Sequence, residues 1–468
     1  MTRSIVIAGP GSGEGKTTVA IGLMAAYQSL GYAVQGFKCG PDYIDPTYHT
    51  AATGRPSRNL DSWMCASAAA RELFERGARG ADIAIVEGVM GMFDGKDPLS
   101  NEGSTADIAK LIDSPVLLVV DCSGMARSAA AIVKGFQSFD PDVRIAGVVA
   151  NKVGSRGHFE MIQKAVEQAC GIPVVGYLEH GDQLVLPERH LGLVPSIERG
   201  ELSPFFELLA ERVKSGFELD RLLKAMGTVK ESASAAIHIH GSSLFAGDPI
   251  SPKVKIAVAR DEAFSFYYPE NFELLSHYGA DIVPFSPLRG ELVPPDADGL
   301  YLGGGFPEEF AEALSRQVET LESIRSAIRR GLPTIAECGG FMVLTEEMIA
   351  RDGVGYPMIG IIPGRVRMQS KLAAMGYREI TGAPGNFLIG PGEQARGHEF
   401  HYSVYEPNDC VEEPLPYAYV TKGMFGQSPE GFIVGSLAAG YTHIHFGSAP
   451  WLAKRWVEAC AKARGRHL

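Results

Sequence analysis

Gly9-Pro10-Gly11-Ser12-Gly13-Glu14-Gly15-Lys16-Thr17-Thr18 stands between an apolar run at residues 4–9 and a stretch with helical spacing of apolar residues, Val19, Leu23 and Ala26. A strand, a glycine-rich turn and a helix in that order are the context a phosphate-binding loop requires. Glycines let backbone N–H groups turn toward phosphate oxygens, a lysine adds a point charge, and a threonine hydroxyl reaches Mg2+. Gly11, Ser12, Gly13, Glu14, Gly15, Lys16, Thr17 and Thr18 are therefore expected to hold ATP, with Thr17 also on the metal. The spacing is one residue longer than GxxxxGK[ST], with Pro10 as the second residue.

Outward from this loop, short apolar runs at 81–87, 116–121, 145–151 and 173–178 alternate with helix-like stretches. That rhythm predicts α/β architecture around a parallel sheet. The Ser-, Ala- and Gly-rich run 228–252 reads as a linker, giving a front domain over 1–227 and a back domain over 253–468. The alternation resumes at 254–259, 281–285, 299–302 and 333–337, and the tail 358–446 reads as mixed or antiparallel. No internal repeat of fixed period is present.

Three acidic segments fall at or just beyond expected strand ends, where open α/β sheets bind ligands: Gly40-Pro41-Asp42-Tyr43-Ile44-Asp45-Pro46, Asn59-Leu60-Asp61, and the stretch from Glu87 to Gly95. A carboxylate beside nucleotide phosphates is unfavourable unless a divalent cation is shared. Glu87 and Asp42 are thus candidate Mg2+ ligands with Thr17, and Asp45 competes with Asp42. Asp-Pro and Asp-Gly pairs are also turn formers, which explains Asp97 equally well. Asn151 closes the run 145–151, and the loop 186–193 is a candidate for completing a base pocket.

In the back half, Thr334-Ile335-Ala336-Glu337-Cys338-Gly339-Gly340-Phe341 is a β-branched strand ending in cysteine, then glycines, then an apolar helix. In such an elbow the helix N-terminus is expected to lower the thiol pKa, while backbone N–H groups face a developing oxyanion. Gly339 and Gly304, the latter from Gly303-Gly304-Gly305, are the candidate oxyanion donors. His443 is the candidate base, with His445 a close competitor and Glu399 a candidate orienting acid. A cysteine, a later histidine and a glycine loop are the parts for acyl transfer from a side-chain amide. His238 and His240 fall in the linker and suggest no chemistry.

With 43 basic against 55 acidic residues and a formal net charge of -12, the chain of 468 residues is not built for a polyanionic partner such as nucleic acid. Seven scattered cysteines without metal-ligand spacing point to a reducing compartment. No apolar run approaches the ~18 residues of a membrane span, and the first strand leaves no room for a signal peptide. A cytoplasmic location is expected, and a homodimer stays open.

The motifs GEGKTT, FKCGPDYIDPTYH, RNLDSWM, VEGVMGMFDG, ERHLGLV, IAVARDEAFSFYYPENFELL, YLGGGFPEE and IAECGGFM together resemble the cobyrinate (hydrogenobyrinate) a,c-diamide synthase family over nearly the whole chain. The resemblance implies two doubly wound domains. In front is a P-loop domain similar to dethiobiotin synthetase, whose relatives carry an adenine-reading asparagine at the place of Asn151; behind is a flavodoxin-like class I glutamine amidotransferase domain. It implies ATP- and glutamine-dependent amidation of two acetate side chains of a tetrapyrrole polycarboxylate. Asp42, Tyr43, Ile44, Asp45 and Asp94 would then lie near the substrate, and Cys338 would hydrolyse glutamine. Nickel-sirohydrochlorin a,c-diamide synthase shares these motifs, whereas cobyric acid synthase looks less similar. Class I amidotransferases carry His-x-Glu where this chain has His443-Ile444-His445, so the acid of the triad is displaced.

Overall fold

The computed structural model describes residues 1–181, 188–189, 192–230, 243–408 and 413–465. The chain divides into two compact units, Met1–Ser243 and Leu244–Leu468.

In the first unit the elements that position the site are β1 (Arg3–Ala8), α1 (Lys16–Ser29), β2 (Val34–Cys39), α2 (Asp45–Thr53), β3 (Arg58–Leu60), β4 (Ile83–Glu87), β5 (Val116–Asp121), β6 (Ile145–Val153) and β7 (Val174–Glu179). They form a sheet in the order β3-β2-β4-β1-β5-β6-β7, all parallel, with Gly227–Thr228 added antiparallel to β1. Ile5, Val6 and Ile7 are fully buried, as are Leu117, Leu118 and Val119. Burial on both faces is why these strands read as unbroken apolar runs.

The crossover from β4 to β5 passes β1, so the carboxyl ends of β1 and β4 lie at the switch point where doubly wound sheets bind ligands. Register places Glu87 beside both Ile7 and Lys38. Two strands of this sheet, β2 and β3, are not among the apolar runs read from the sequence, which gave only the acidic segments at their ends. β2 reads Val-Gln-Gly-Phe-Lys-Cys, and its buried Gln35 and Lys38 interrupt the apolar pattern. Thr228, the expected first residue of the linker, pairs with Arg3; residues 231–242 of that run, with His238 and His240, lie outside the described residues.

The second unit contains a sheet in the order Ala280–Phe285, Val254–Ala259, Gly299–Leu302, Thr334–Glu337, Leu437–Gly440, Phe432–Val434. The first five strands are parallel and run 2-1-3-4-5 in chain order, the flavodoxin-like arrangement; the last is antiparallel. Its core includes Ala257, Leu300, Leu302 and Phe341. The tail contributes an antiparallel sheet in which His443–Ile444 pairs with Gln394–His401, as well as the Leu437–Gly440 strand beside the cysteine.

Candidate functional site

The glycine-rich loop leaves β1 and enters α1 through Gly13 and Gly15, both at positive φ, 82° and 91°. Gly15 has a second reason to lack a side chain: a Cβ there would sit 2.1 Å from Asn151 Nδ2. Asn151 Nδ2 donates to Glu14 O at 2.7 Å, and Lys152 Nζ donates to Gly13 O at 3.0 Å, so the end of β6 clamps the loop from outside. The residue expected to read the base is thus seen holding the loop in shape. Lys16 Nζ donates to Gly11 O at 2.7 Å, and burial, with Lys38 nearby, pushes its pKa down.

Thr17 Oγ1 donates to Glu87 Oε1 at 2.5 Å, where Lys38 Nζ also donates at 2.9 Å. Glu87 Oε2 meets His49 Nε2 at 2.6 Å, and His49 Nδ1 meets Ser57 Oγ at 3.1 Å. Burial alone would raise the Glu87 carboxyl, but the Lys38 charge and the His49 hydrogen bond overcome it and hold it well below the carboxylate range. Lys38 also donates to Asp45 Oδ2 at 2.5 Å, and three neighbouring carboxylates keep it cationic despite burial. Lys16, Thr17, Lys38, Asp42, Asp45 and Glu87 line one cavity of about 670 Å3, together with Asn151.

Asp42 Oδ1 accepts from the backbone N–H of Ile44 and Asp45, at 2.8 and 3.1 Å, and so starts α2. Asn59 secures the same turn by donating to Gly40 O and Asp42 O. Asp94 does not line the cavity; its Oδ2 accepts from Gly91 N at 2.9 Å and closes the turn after Met90. Tyr43 and Ile44 also stand outside the lining, with Ile44 buried at the start of α2. Of the 186–193 loop, residues 186–187 and 190–191 lie outside the described residues.

The donor set fits a divalent cation in one respect. The Thr17 hydroxyl and the Asp42 and Glu87 carboxylates share the cavity with the phosphate loop. Among the described residues, no three His, Cys, Asp or Glu side chains gather as a metal cage, so most of the ion's ligands would come from phosphate and water, the usual habit of Mg2+.

In the second unit Cys338 sits at φ 48°, ψ −104°, between strand Thr334–Glu337 and helix Gly339–Leu344. A non-glycine residue held at positive φ is the strain expected of a nucleophile elbow. The close packing behind it demands glycine, since a Cβ on Gly340 would lie 2.0 Å from Leu302 O. The expected lowering of the thiol pKa is not found: burial pushes it well up, Glu308 adds to this, and the Gly339 N–H opposes it. The loss of water outweighs the one hydrogen bond from the Gly339 N–H.

The glycine loop joins cysteine and histidine. A Cβ on Gly339 would be 3.2 Å from Gly305 N, and one on Gly304 would be 2.3 Å from His443 Cε1. His443 is buried and pushed down to about 3 by burial, with His398 and His401 adding, so the ring is neutral. His445 is engaged elsewhere, since its Nδ1 accepts from Gly447 N at 3.0 Å and its ring packs on Tyr268. Glu399, the expected orienting acid, receives Arg378 Nε at 2.5 Å and meets His401 Nε2 at 2.8 Å. It acts on His401, which stacks on Tyr441 at 3.7 Å between centroids.

Sequence reasoning missed Lys38, His49, Glu337 and Glu430. Lys38 and His49 stand inside the FKCGPDYIDPTYH stretch, and a lysine flanked by apolar residues in a strand was the available signal. Nothing local marks Glu430, whose partners are more than ten residues away.

Residues 5–194 match the CobQ/CobB/MinD/ParA nucleotide binding domain family, and residues 255–451 the CobB/CobQ-like glutamine amidotransferase domain family. A protein of Priestia megaterium named cobyrinate a,c-diamide synthase is 58% identical over 462 residues, covering 99% of this chain and 98% of that one. Proteins of the same name from Dehalococcoides mccartyi and Thermoplasma volcanium are 44% and 40% identical, over 97% and 98% of this chain and 97% of each relative. No helix among the described residues is long and apolar enough to cross a membrane. With a nucleotide-binding unit and a glutamine amidotransferase unit matched end to end, the chain belongs to the cobyrinate a,c-diamide synthase family.

Proposed function

We propose that the chain is an ATP- and glutamine-dependent ligase that converts the a and c acetate side chains of cobyrinate, or of its cobalt-free form hydrogenobyrinate, to amides in cobalamin synthesis. The observation that carries this reading is the pairing in one chain of a carboxylate-lined phosphate cavity with a strained, buried elbow cysteine. A carboxylate is a poor electrophile because hydroxide leaves badly, so an amide synthase needs both phosphoryl activation and a source of ammonia.

In the back unit Cys338 Sγ attacks the side-chain carbonyl of glutamine while His443 takes the thiol proton and passes it to the departing ammonia. The thioester is then hydrolysed to glutamate, with Gly304 and Gly339 N–H groups stabilising each oxyanion. In the front unit the γ-phosphoryl group of ATP moves to an acetate oxygen of the tetrapyrrole and ADP departs. Ammonia attacks the acyl carbon, and phosphate leaves with the former carboxylate oxygen. Lys16 and the loop N–H groups hold the phosphates, and Asn151 offers its amide to the base. Lys38 and Asp42 face the activated carboxylate, with Asp45 fixing Lys38. Thr17, Glu87 and Asp42 would hold Mg2+, which neutralises phosphate charge when bound.

The test is mass spectrometry of products from cobyrinate, hydrogenobyrinate and nickel-sirohydrochlorin offered in competition with ATP and glutamine. Two amidations on a corrin-type acid are expected. Exclusive use of nickel-sirohydrochlorin would overturn the substrate assignment.

A further inference from the structure

The chain lacks the His-x-Glu acid of class I amidotransferases, and Glu399 is committed to His401 and Arg378. The main chain that carries His443 is held by other groups. The segment 440–446 is gripped along its backbone from three sides. Glu337 Oε1 accepts from Ile444 N at 2.9 Å, while its Oε2 accepts from Tyr301 Oη at 2.8 Å. Glu430 Oε1 accepts from Tyr441 N and, at 3.4 Å, from Thr442 N; its Oε2 accepts from Thr442 Oγ1 at 3.1 Å. Asn271 takes the far side, donating to Ile444 O and accepting from Phe446 N, both at 2.8 Å.

Gly440 completes the grip, because a Cβ there would lie 2.3 Å from Glu430 Oε1. Glu337 and Asn271 are 3% and 0% exposed, so neither bond competes with water. Glu337 is also the residue before Cys338, whose N–H donates to Gly440 O at 2.8 Å. One carboxylate therefore joins the segment bearing the thiol to the segment bearing the imidazole.

Resting on the glutaminase reading of this unit, we infer that Glu337 and Glu430 are positioning residues for glutamine hydrolysis, holding the main chain on either side of His443. What the reaction requires of them is an acceptor oxygen, not a negative charge. Glutamine at either position keeps that acceptor, and its amide N–H can serve Tyr301 Oη or Thr442 Oγ1. Apolar side chains of similar size remove it.

The experiment measures glutamate release by the full chain with ATP and tetrapyrrole present, comparing Glu337→Met with Glu337→Gln and Glu430→Leu with Glu430→Gln. The expected result is a tenfold or greater fall in kcat for each apolar variant, with KM for glutamine within twofold, and recovery of most of that loss in each glutamine variant. Circular dichroism identifies any variant that fails to fold; should Glu337→Met unfold, the Glu430 pair decides. Glutamine variants as slow as the apolar ones, or apolar variants at wild-type kcat, would overturn the inference. A wild-type chain that releases no glutamate would instead overturn the glutaminase reading, and this inference with it.

Discussion

The Glu337 carboxylate, adjacent to Cys338 in the chain, accepts the amide hydrogen of Ile444, adjacent to His443, at 2.9 Å. The bond is buried, and burial pushes Glu337 up to about 7 from 4.5. Burial, with Glu399 adding, raises Glu430 to about 7 as well.

A carboxyl with a higher pKa folded than unfolded stabilises the fold fully below its unfolded value and loses that contribution as pH rises through the folded value. Glu337→Gln removes the titration. Urea denaturation should show the variant gaining on the wild type between pH 5 and pH 8, by on the order of 1–3 kcal/mol. The buried imidazoles of His398 and His443, held down at about 4 and 3, cost stability as pH falls below 6.5 and cancel in the comparison. A difference that stays flat with pH would contradict the burial argument.

Lys38 is 4% exposed and is the shared cation of Asp45 and Glu87. Lys38→Met leaves two buried carboxylates without it, and removing one partner of a buried pair costs about 3–5 kcal/mol. Chemical denaturation of the front unit should register a loss of that size. A change under about 1 kcal/mol would show that the carboxylates are neutral or hydrated.

Gly304→Ala places a methyl group 2.3 Å from His443 Cε1. The ring must move, and a misplacement of about 1 Å costs roughly 100-fold in rate. Glutaminase activity should fall by about that factor, while amidation driven by added ammonium salt persists. Glutaminase activity within twofold of wild type would separate His443 from the chemistry.

Local chemistry was legible in the sequence; partnership across the sheet was not. Gly13, Gly15, Lys16 and Thr17 declare a phosphate loop because their roles follow from spacing, and Cys338 between a strand and two glycines declares an elbow in the same way. Lys38 was hidden because a charged residue in a strand reads as the end of burial, and only its register with Glu87 on β4 reveals the reason for it. Asp94, acidic and near a strand end, accepts from the backbone of its own turn, a bond that spacing alone does not show. Glu337 and Glu430 act on main-chain groups at a distance of 107 and 11 residues, and such bonds leave no motif.

The account stands most directly on the division of labour between the two units. Cys338→Ser should abolish amide formation from glutamine while amide formation from ammonium salt, with ATP and cobyrinate, continues at close to the wild-type rate. Loss of both activities, or retention of the glutamine-driven one, would contradict it.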